Sequence, residues 1–235
     1  MKKYKLLSWH QLGSVNTFKL INSFPFDYHV IDFEHGSHMN NEVYPNLKTK
    51  NNLIARVSNR NKKYYSWLLD IGYDGIILSD VKDESEVHNL IECTSFNPSG
   101  NRGLGYCQSN NFGKDIKKFI TKKHQPILGI QIESVQGINI LPNIISKYKS
   151  KINFYMLGPY DLSNDAGVPG DFNSKTYKDL VRKFYSIISK NNLNKGVHVV
   201  NSSRKELEDA IHNKYDYIAY STDAKLIIDS LNSII

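Results

Sequence analysis

The sequence predicts an α/β fold, a single (β/α)8 barrel that occupies residues 1–235. Short apolar runs with the length of β-strands recur eight times, and longer amphipathic stretches with the length of helices separate them. Strands that alternate with helices pair in parallel through right-handed crossovers. The 235 residues suit eight such units, since barrels of this kind usually have ~250 residues. No low-complexity linker, repeat or break in composition divides the chain.

The predicted elements follow one another in the order that a barrel requires. In chain order, the strand-like runs are Lys5–Ser8, Tyr28–Phe33, Leu53–Val57, Gly75–Leu78, Ile127–Ile132, Phe154–Leu157, Gly196–Val200 and Tyr217–Tyr220. The helix-like stretches between them include Lys62–Ile71, Glu84–Ser95, Tyr177–Lys190 and Arg204–His212. An open doubly wound sheet is the alternative, and a glycine-rich fingerprint after the first strand would favour it. The residues found there, Leu12-Gly13-Ser14, are not such a fingerprint.

Composition favours a cytoplasmic protein without a membrane span. Apolar residues make up 40% of the chain and charged residues 23%, which is close to the average for globular proteins. No run approaches the ~18–20 apolar residues that span a bilayer. After the basic start only Leu6 and Leu7 precede Ser8, whereas a signal peptide needs an apolar core of ~7–15 residues. Cys93 and Cys107 form neither a CxxC nor a metal-binding spacing, so we expect both to be reduced.

The formal net charge is +7, and the basic residues are scattered along the chain. The alternating Lys147, Lys149 and Lys151 enclose one aromatic residue, Tyr148, which is too little for a platform that stacks single-stranded bases. We therefore expect no nucleic-acid partner. An excess of positive charge also suits an anionic small molecule. A basic binding module that keeps the barrel without catalysis is the non-enzyme alternative.

Four of the predicted strands end in polar residues that a barrel would bring to one rim. His35, Glu133 and Asp161 follow the second, fifth and sixth runs, and Arg56 lies near the end of the third. Side chains at the carboxyl ends of barrel strands converge on the mouth where chemistry occurs. Each residue alone also has a structural explanation. His35 could be a hydrogen-bonded structural residue and Arg56 half of a buried ion pair. Glu133 could be an acid in the first turn of a helix, favoured by the helix dipole, and Asp161 could cap the helix that follows it. Their joint occurrence at four strand ends favours a functional site.

These residue types suit the cleavage or formation of a carbon–carbon bond. Two carboxylates without cysteine favour a hard divalent cation, Mg²⁺ or Mn²⁺, whose remaining ligands are water and substrate. Such an ion polarises a carbonyl, and a nearby arginine stabilises a developing oxyanion. A histidine with a pKa near neutrality can exchange the proton. The set is typical of aldol chemistry on a 2-oxo acid. His35 and His38 could instead ligate zinc, although a second ligand pair at matching spacing is missing.

Several ordered motifs also carry a resemblance that runs nearly end to end, from Trp9 to Asp223. They are Asp32-Phe33-Glu34-His35, Arg56-Val57, Asn101-Arg102-Gly103-Leu104-Gly105, Gln131-Ile132-Glu133 and Gly158-Pro159-Tyr160-Asp161-Leu162-Ser163. With these motifs the chain resembles the class II, metal-dependent pyruvate aldolases of the HpcH/HpaI aldolase/citrate lyase family. The resemblance implies a TIM barrel of the pyruvate/phosphoenolpyruvate-dependent type. It also implies a homo-oligomer, commonly a hexamer built from dimers.

The resemblance implies a role for each matching residue. Glu133 and Asp161 would hold the metal, His35 would be the general base, and Arg56 would stabilise the enolate of pyruvate. Asp70, in Leu68-Leu69-Asp70-Ile71-Gly72, matches an aspartate that raises the basicity of the histidine. The substrate-binding residues would be Gln131, Tyr160, Asp161, Trp9 and His198. The implied reaction is the reversible cleavage of a 4-hydroxy-2-oxo acid to pyruvate and an aldehyde. A related lyase or decarboxylase acting on oxaloacetate or an acyl-CoA is the alternative within enzymes.

The chain departs from the family pattern beside the site. Ser79-Asp80-Val81 stands where relatives commonly have Pro-Met-Val, Tyr160 replaces an alanine, and His198 replaces a leucine-like residue. The metal and base positions are intact, so catalysis is expected. The added hydroxyl and imidazole groups lead us to expect a short aldehyde that carries a hydroxyl or carboxylate group.

Overall fold

The computed structural model describes residues 3–37, 43–47, 52–121 and 125–235. Over these residues, eight parallel strands form a closed barrel in which each strand pairs with its neighbours in sequence and the last pairs with the first. The strands are β1 Lys5–His10, β2 Tyr28–Asp32, β3 Asn52–Val57, β4 Gly75–Leu78, β5 Ile127–Ile132, β6 Phe154–Leu157, β7 Lys195–Val199 and β8 Tyr217–Tyr220. The predicted (β/α)8 barrel is confirmed. No helix among the described residues is long and apolar enough to cross a membrane.

Helices lie between successive strands and after the last one. They are α1 Val15–Asn22, α2 Val43–Leu47, α3 Lys62–Asp70, α4 Glu84–Thr94, α5 Ile116–Thr121, α6 Val135–Tyr148, α7 Pro159–Asp165, α8 Lys175–Lys190, α9 Arg204–His212 and α10 Asp223–Asn232. Most predicted boundaries match the structure, and the others differ by one or two residues. Helix α3 ends at Asp70 and not at the predicted Ile71, because Gly72 adopts a φ of 111° and the chain leaves the helical path there. Helix α8 begins at Lys175 and not at the predicted Tyr177, because Ser174 caps it. The Ser174 hydroxyl accepts a hydrogen bond from the Tyr177 N–H.

The first strand extends two residues beyond the predicted Ser8. Trp9 and His10 pair with Val30 and Ile31 of β2, and both are buried although they are not aliphatic. Trp9 Nε1 donates a hydrogen bond to Asp32 and His10 Nε2 lies 2.8 Å from the Ser8 hydroxyl, which lowers the cost of burying the two rings. Trp9 therefore belongs to the strand and points into the barrel.

Two apolar layers stabilise the barrel, one inside it and one between its strands and the surrounding helices. The strands consist largely of aliphatic and aromatic residues because both faces of the sheet are buried. Burial of each large apolar side chain contributes about 1.5–3 kcal/mol to the stability of the fold. At β5, Gly129 leaves the space that the ring of Phe154 fills, since a Cβ there would lie 2.4 Å from that ring. The side chains that fill the barrel are Leu7, Trp9, Tyr28, Val30, Ile54, Ile77, Phe154, Met156 and Ala219.

The first and last units are joined by a buried carboxylate. Asp223, the first residue of α10, accepts hydrogen bonds from the backbone N–H groups of Gln11 at 2.8 Å and Leu12 at 3.2 Å. The side chain of Asp223 is almost fully buried. The final helix is thus held against the loop that follows β1.

A polar cluster lies between the barrel and α1. The Ser8 hydroxyl is 2.8 Å from His10 Nε2 and 2.6 Å from His29 Nδ1, and the ring of Phe18 covers His29 at 5.4 Å. Burial disfavours the charged imidazole and lowers the pKa of His29 to about 4. His29 is therefore neutral at physiological pH.

The buried, neutral His29 predicts that the stability of the fold decreases at acidic pH. Because the pKa of His29 is lower in the folded state than its ordinary 6.5, the unfolded chain binds the extra proton between these values. Stability from neutral His29 is present above pH ~6.5 and is lost as the pH falls toward ~4, by on the order of 3 kcal/mol. In denaturant unfolding at pH 7 and 4.5, His29→Gln should lose less stability on acidification than the wild type. The exposed His88 provides the control, and an equal loss in His29→Gln and His88→Gln would contradict this assignment.

Candidate functional site at the barrel mouth

The carboxyl ends of the strands enclose two adjoining cavities. The larger, about 430 Å³, is lined by seven of the predicted site residues, which are Trp9, His35, Arg56, Gln131, Tyr160, Asp161 and His198. The smaller, about 190 Å³, is lined by Glu133 together with His35 and Asp161. His35 and Asp161 thus border both cavities. The structure brings together every predicted site residue except Asp70.

Asp32, at the end of β2, connects the side chains around the larger cavity. Its Oδ2 accepts hydrogen bonds from Trp9 Nε1 at 3.0 Å and Gln11 Nε2 at 3.1 Å, and its Oδ1 accepts from Arg56 Nε at 3.0 Å. Burial disfavours the carboxylate, but the charge of Arg56 and these hydrogen bonds outweigh it. The pKa of Asp32 therefore lies below its ordinary value. Asp32 stands in the motif Asp32-Phe33-Glu34-His35, but its position there does not reveal this role.

The same carboxylate shapes the loop that carries His35. Asp32 Oδ1 accepts from the backbone N–H groups of Glu34 at 3.1 Å and His35 at 3.2 Å, which folds the chain back over the strand end. This turn places His35 between the two cavities. His38, the other member of the predicted zinc pair, lies outside the described residues.

Arg56 is buried between carboxylates, as its structural explanation requires, and it also lines the larger cavity. In addition to its bond to Asp32, its Nη2 lies 2.5 Å from Glu34 Oε2. Its guanidinium stands 5.5 Å from the centre of the Trp9 ring. These contacts hold a fixed positive charge at the wall of the pocket.

Glu133 lies before α6 rather than in its first turn, because Ser134 is the residue that caps that helix. Glu133 Oε2 accepts a hydrogen bond from the backbone N–H of Asp80 at 2.8 Å. Its Oε1 is buried and has no hydrogen-bond partner among the described residues. The pKa of Glu133 is raised to about 8, chiefly by burial. The charge of Arg56 opposes this shift, and the nearby carboxyl groups of Glu34 and Asp161 add to it. The helix-turn explanation of Glu133 is therefore wrong.

Two further residues shape the surroundings of Glu133. Asp80 adopts a φ of 47°, a conformation that directs its N–H to the carboxylate, and its own side chain binds Lys82 Nζ at 2.8 Å. Gly158 precedes α7, and a Cβ on it would lie 2.2 Å from Glu133 Oε1. Asp161 lies within the first turn of that helix, where it is not the cap. The predicted alternative role of Asp161 as a cap is therefore wrong.

The walls contributed by α7 and β7 carry the two substituted residues. Tyr160 is 56% exposed, and its ring packs edge-on against Phe172 with centroids 5.0 Å apart. The imidazole of His198 packs on Trp9 at 4.7 Å, and its Nε2 donates a hydrogen bond to the Ser221 carbonyl at 2.9 Å. Both residues line the larger cavity, as predicted for substrate-binding residues.

Asp70 lies elsewhere in the described structure. It ends α3 and accepts a hydrogen bond from Arg102 Nη2 at 2.7 Å, and it lines neither cavity of the mouth. The Arg102 guanidinium is buried over the ring of Phe96 at 4.9 Å. Arg102 thus forms a structural ion pair with Asp70. The signal for Asp70 came from the motif alone, since no argument from strand ends selects a residue inside a helix.

Comparison with known proteins gives one family. The sequence profile of the HpcH/HpaI aldolase/citrate lyase family matches residues 6–230. A hydroxypyruvate/pyruvate aldolase from Roseobacter denitrificans is 21% identical over 232 residues, which cover 96% of this chain and 89% of that protein. The profile confirms the family resemblance found in the sequence, and with the named aldolase it supports a carbon–carbon lyase of aldolase type.

Solved structures share the fold. An HpcH/HpaI aldolase/citrate lyase family protein from Burkholderia cenocepacia superimposes with a TM-score of 0.88 at 18% identity, covering 99% of this chain and 93% of that one. The citrate lyase beta subunit from M. tuberculosis, complexed with oxaloacetate and magnesium, gives a TM-score of 0.65 at 10% identity, covering 95% and 93%. From the profile match over residues 6–230, the chain belongs to the HpcH/HpaI aldolase/citrate lyase family.

Proposed function

We propose that this protein is a divalent-metal-dependent aldolase that cleaves a 4-hydroxy-2-oxo acid to pyruvate and an aldehyde, or runs the reverse addition. One observation supports this most strongly. The buried Glu133 carboxylate leaves one oxygen without a partner and lies beside Asp161, next to a fixed guanidinium and a histidine. This is the combination of groups that enolate chemistry at a cation requires.

The surroundings fit a divalent cation. The side chains that line the smaller cavity are Glu34, His35, Asp80, Lys82, Glu133, Asp161, Asn164 and Asp165, so its carboxyl groups outnumber its basic groups. In the described part of the chain no three Asp, Glu, His or Cys side chains are arranged around one point as a complete metal site. Glu133 and Asp161 would therefore hold the ion, leaving its other positions to water and substrate oxygen, as Mg²⁺ prefers. The M. tuberculosis protein of the same fold is complexed with magnesium.

When bound, Mg²⁺ or Mn²⁺ supplies Lewis-acid polarisation of the 2-oxo group. In cleavage the C3–C4 bond of the substrate breaks, its electron pair forms the enolate of pyruvate, and the C4 hydroxyl becomes the aldehyde carbonyl. A ring nitrogen of His35 takes the proton of that hydroxyl and returns it to C3. The positive charge of Arg56 stabilises the negative oxygen at C2. Gln131, whose amide is buried at the floor of the pocket, binds the pyruvate unit.

We further propose a homo-oligomer that covers the segment after Arg102. This segment presents the exposed apolar side chains of Leu104, Tyr106, Phe112 and Ile120. A concentration of exposed apolar side chains in one segment is typical of an interface. Since Asp70 pairs with Arg102 at the edge of this segment and lines neither cavity of its own chain, its proposed effect on His35 requires a neighbouring chain.

The reaction is tested by pyruvate release from a panel of 4-hydroxy-2-oxo acids. Activity should require Mg²⁺ or Mn²⁺, and Glu133→Gln should remove the metal stimulation because a hard cation loses a charged ligand. His35→Ala should lower kcat by roughly 10²–10⁴-fold. Arg56→Lys, which keeps the charge but loses the planar fork, should also be severely impaired. Full activity of the chelator-treated wild type would exclude this mechanism.

The space beside Glu133 gives a second test. In Gly158→Ala the new Cβ occupies the position of Glu133 Oε1, and the carboxylate must rotate away because it is the free end of a side chain. We expect Mn²⁺ affinity, measured by calorimetry, to fall roughly 10- to 100-fold while the fold is kept. Gly103→Ala is the matched control, since nothing lies within 4 Å of a Cβ there. Equal Mn²⁺ affinity in the two variants would remove Glu133 from the proposed ligand set.

The proposed interface is tested by light scattering. Tyr106 and Phe112 are 76% and 71% exposed, and a charge at either position would be desolvated in an interface. Tyr106→Glu and Phe112→Glu should therefore lower the molar mass of the particle, whereas Phe24→Glu, at an exposed position preceding β2, should not. A monomeric wild type would overturn the proposal.

A further inference from the structure

We propose that His198 selects the aldehyde by accepting a hydrogen bond from a hydroxyl group on it, so that the partner of pyruvate is a hydroxyaldehyde and not a carboxylated aldehyde. This inference rests on the proposed aldolase function and specifies its substrate class. The sequence alone left both kinds of aldehyde open.

The structure determines which nitrogen of His198 carries the proton. Nε2 lies 2.9 Å from the carbonyl oxygen of Ser221, and a carbonyl oxygen can only accept, so Nε2 is the donor. The carbonyl itself is fixed. Ser221 has a φ of 54°, its N–H donates to the Val199 carbonyl at 2.6 Å, and its hydroxyl donates to the Val200 carbonyl at 3.1 Å. The neutral ring therefore offers an unprotonated Nδ1, a hydrogen-bond acceptor.

The surroundings keep the ring neutral and immobile. The pKa of His198 is lowered to about 4, chiefly by burial. The hydrogen bond to Ser221 opposes this shift, and the nearby charge of Arg56 adds to it. The imidazole is packed against the Trp9 ring, whose indole N–H is itself bound to Asp32. No described residue provides a hydrogen-bond donor to Nδ1, and the ring lines the larger cavity.

An acceptor at this wall discriminates between the two kinds of aldehyde. A hydroxyl group donates to Nδ1, whereas a carboxylate would place its own lone pairs against it. An aldehyde with a methyl group in place of the hydroxyl would leave Nδ1 unpaired as water is displaced, which costs affinity.

The cation on the same wall does not favour a carboxylate. Lys225 lines the cavity near Ala224, but its ammonium is in contact with Asp229. Asp229 also accepts from the N–H of Ser202 at 3.0 Å and from its hydroxyl at 2.6 Å, which keeps the carboxylate in place. The positive charge of Lys225 is thus already neutralised by a fixed partner.

The experiment compares kcat/KM for the addition of pyruvate to glycolaldehyde, propionaldehyde and glyoxylate. The wild type should prefer glycolaldehyde to both. In His198→Leu the ratio of glycolaldehyde to propionaldehyde should fall roughly 10- to 100-fold. His198→Asn, which keeps an acceptor oxygen, should retain part of the preference. His88→Leu, on the outer surface of α4, should leave the ratio at its wild-type value. A wild type that prefers glyoxylate, or an unchanged ratio in His198→Leu, would overturn the proposal.

Two measurements on the wild type complete the test. The ¹⁵N shifts of the His198 ring at pH 7 should show a protonated Nε2 and a bare Nδ1, and the opposite tautomer would refute the proposal even if the variants fail to fold. Metal-dependent exchange of the pyruvate methyl protons in D₂O involves no aldehyde. If exchange occurs but the aldehyde ratios do not respond, the inference about His198 alone is wrong, whereas absence of exchange overturns the aldolase function with it.

Discussion

The hydrogen bonds of the buried Asp32 carboxylate are the interaction on which the mouth of this barrel depends. A buried carboxylate is costly unless charged and polar donors surround it. Here the donors come from β1, the loop after it, β3 and the turn that follows β2. One anion therefore aligns the Trp9 ring, the Arg56 guanidinium and the backbone that carries His35. Without it, the positive charge of Arg56 would keep one carboxylate partner among the described residues, the half-buried Glu34.

Much of the fold could be predicted because parallel strands of a barrel are buried on both faces. Such strands appear in the sequence as nearly continuous apolar runs, and β4, β5, β6 and β8 have the predicted boundaries. The end of β1 could not be predicted in this way. Trp9 and His10 are strand residues because β2 pairs with them and because Asp32 of β2 accepts a hydrogen bond from the Trp9 indole. These partners are distant in sequence, so local pattern carries no signal for them.

The site was predictable to the extent that its side chains stand at strand ends. Position in a barrel brings such residues to one mouth whatever their spacing in sequence, which is why His35, Arg56 and Asp161 lie together. The supporting residues gave no comparable signal. Asp80 contributes a backbone N–H, and Gly158 contributes the space that a side chain would fill. Neither role can be recognised in the sequence, because both depend on how close these segments lie to Glu133 in the fold. Asp70 was found only through the motif, and a single chain does not bring it to the mouth.

The contact between Asp223 and the loop after β1 connects the last helix to the site through hydrogen bonds. The Gln11 N–H is bound by Asp223, the Gln11 amide is bound to Asp32, and Asp32 holds Arg56. Three successive polar contacts therefore connect the start of α10 to the guanidinium. The contacts that join the first and last βα units of the barrel therefore also help to position the wall of the pocket that carries Arg56. A displacement of the C-terminal helix would accordingly move the backbone at Gln11 and, through Gln11, the carboxylate that orients Arg56.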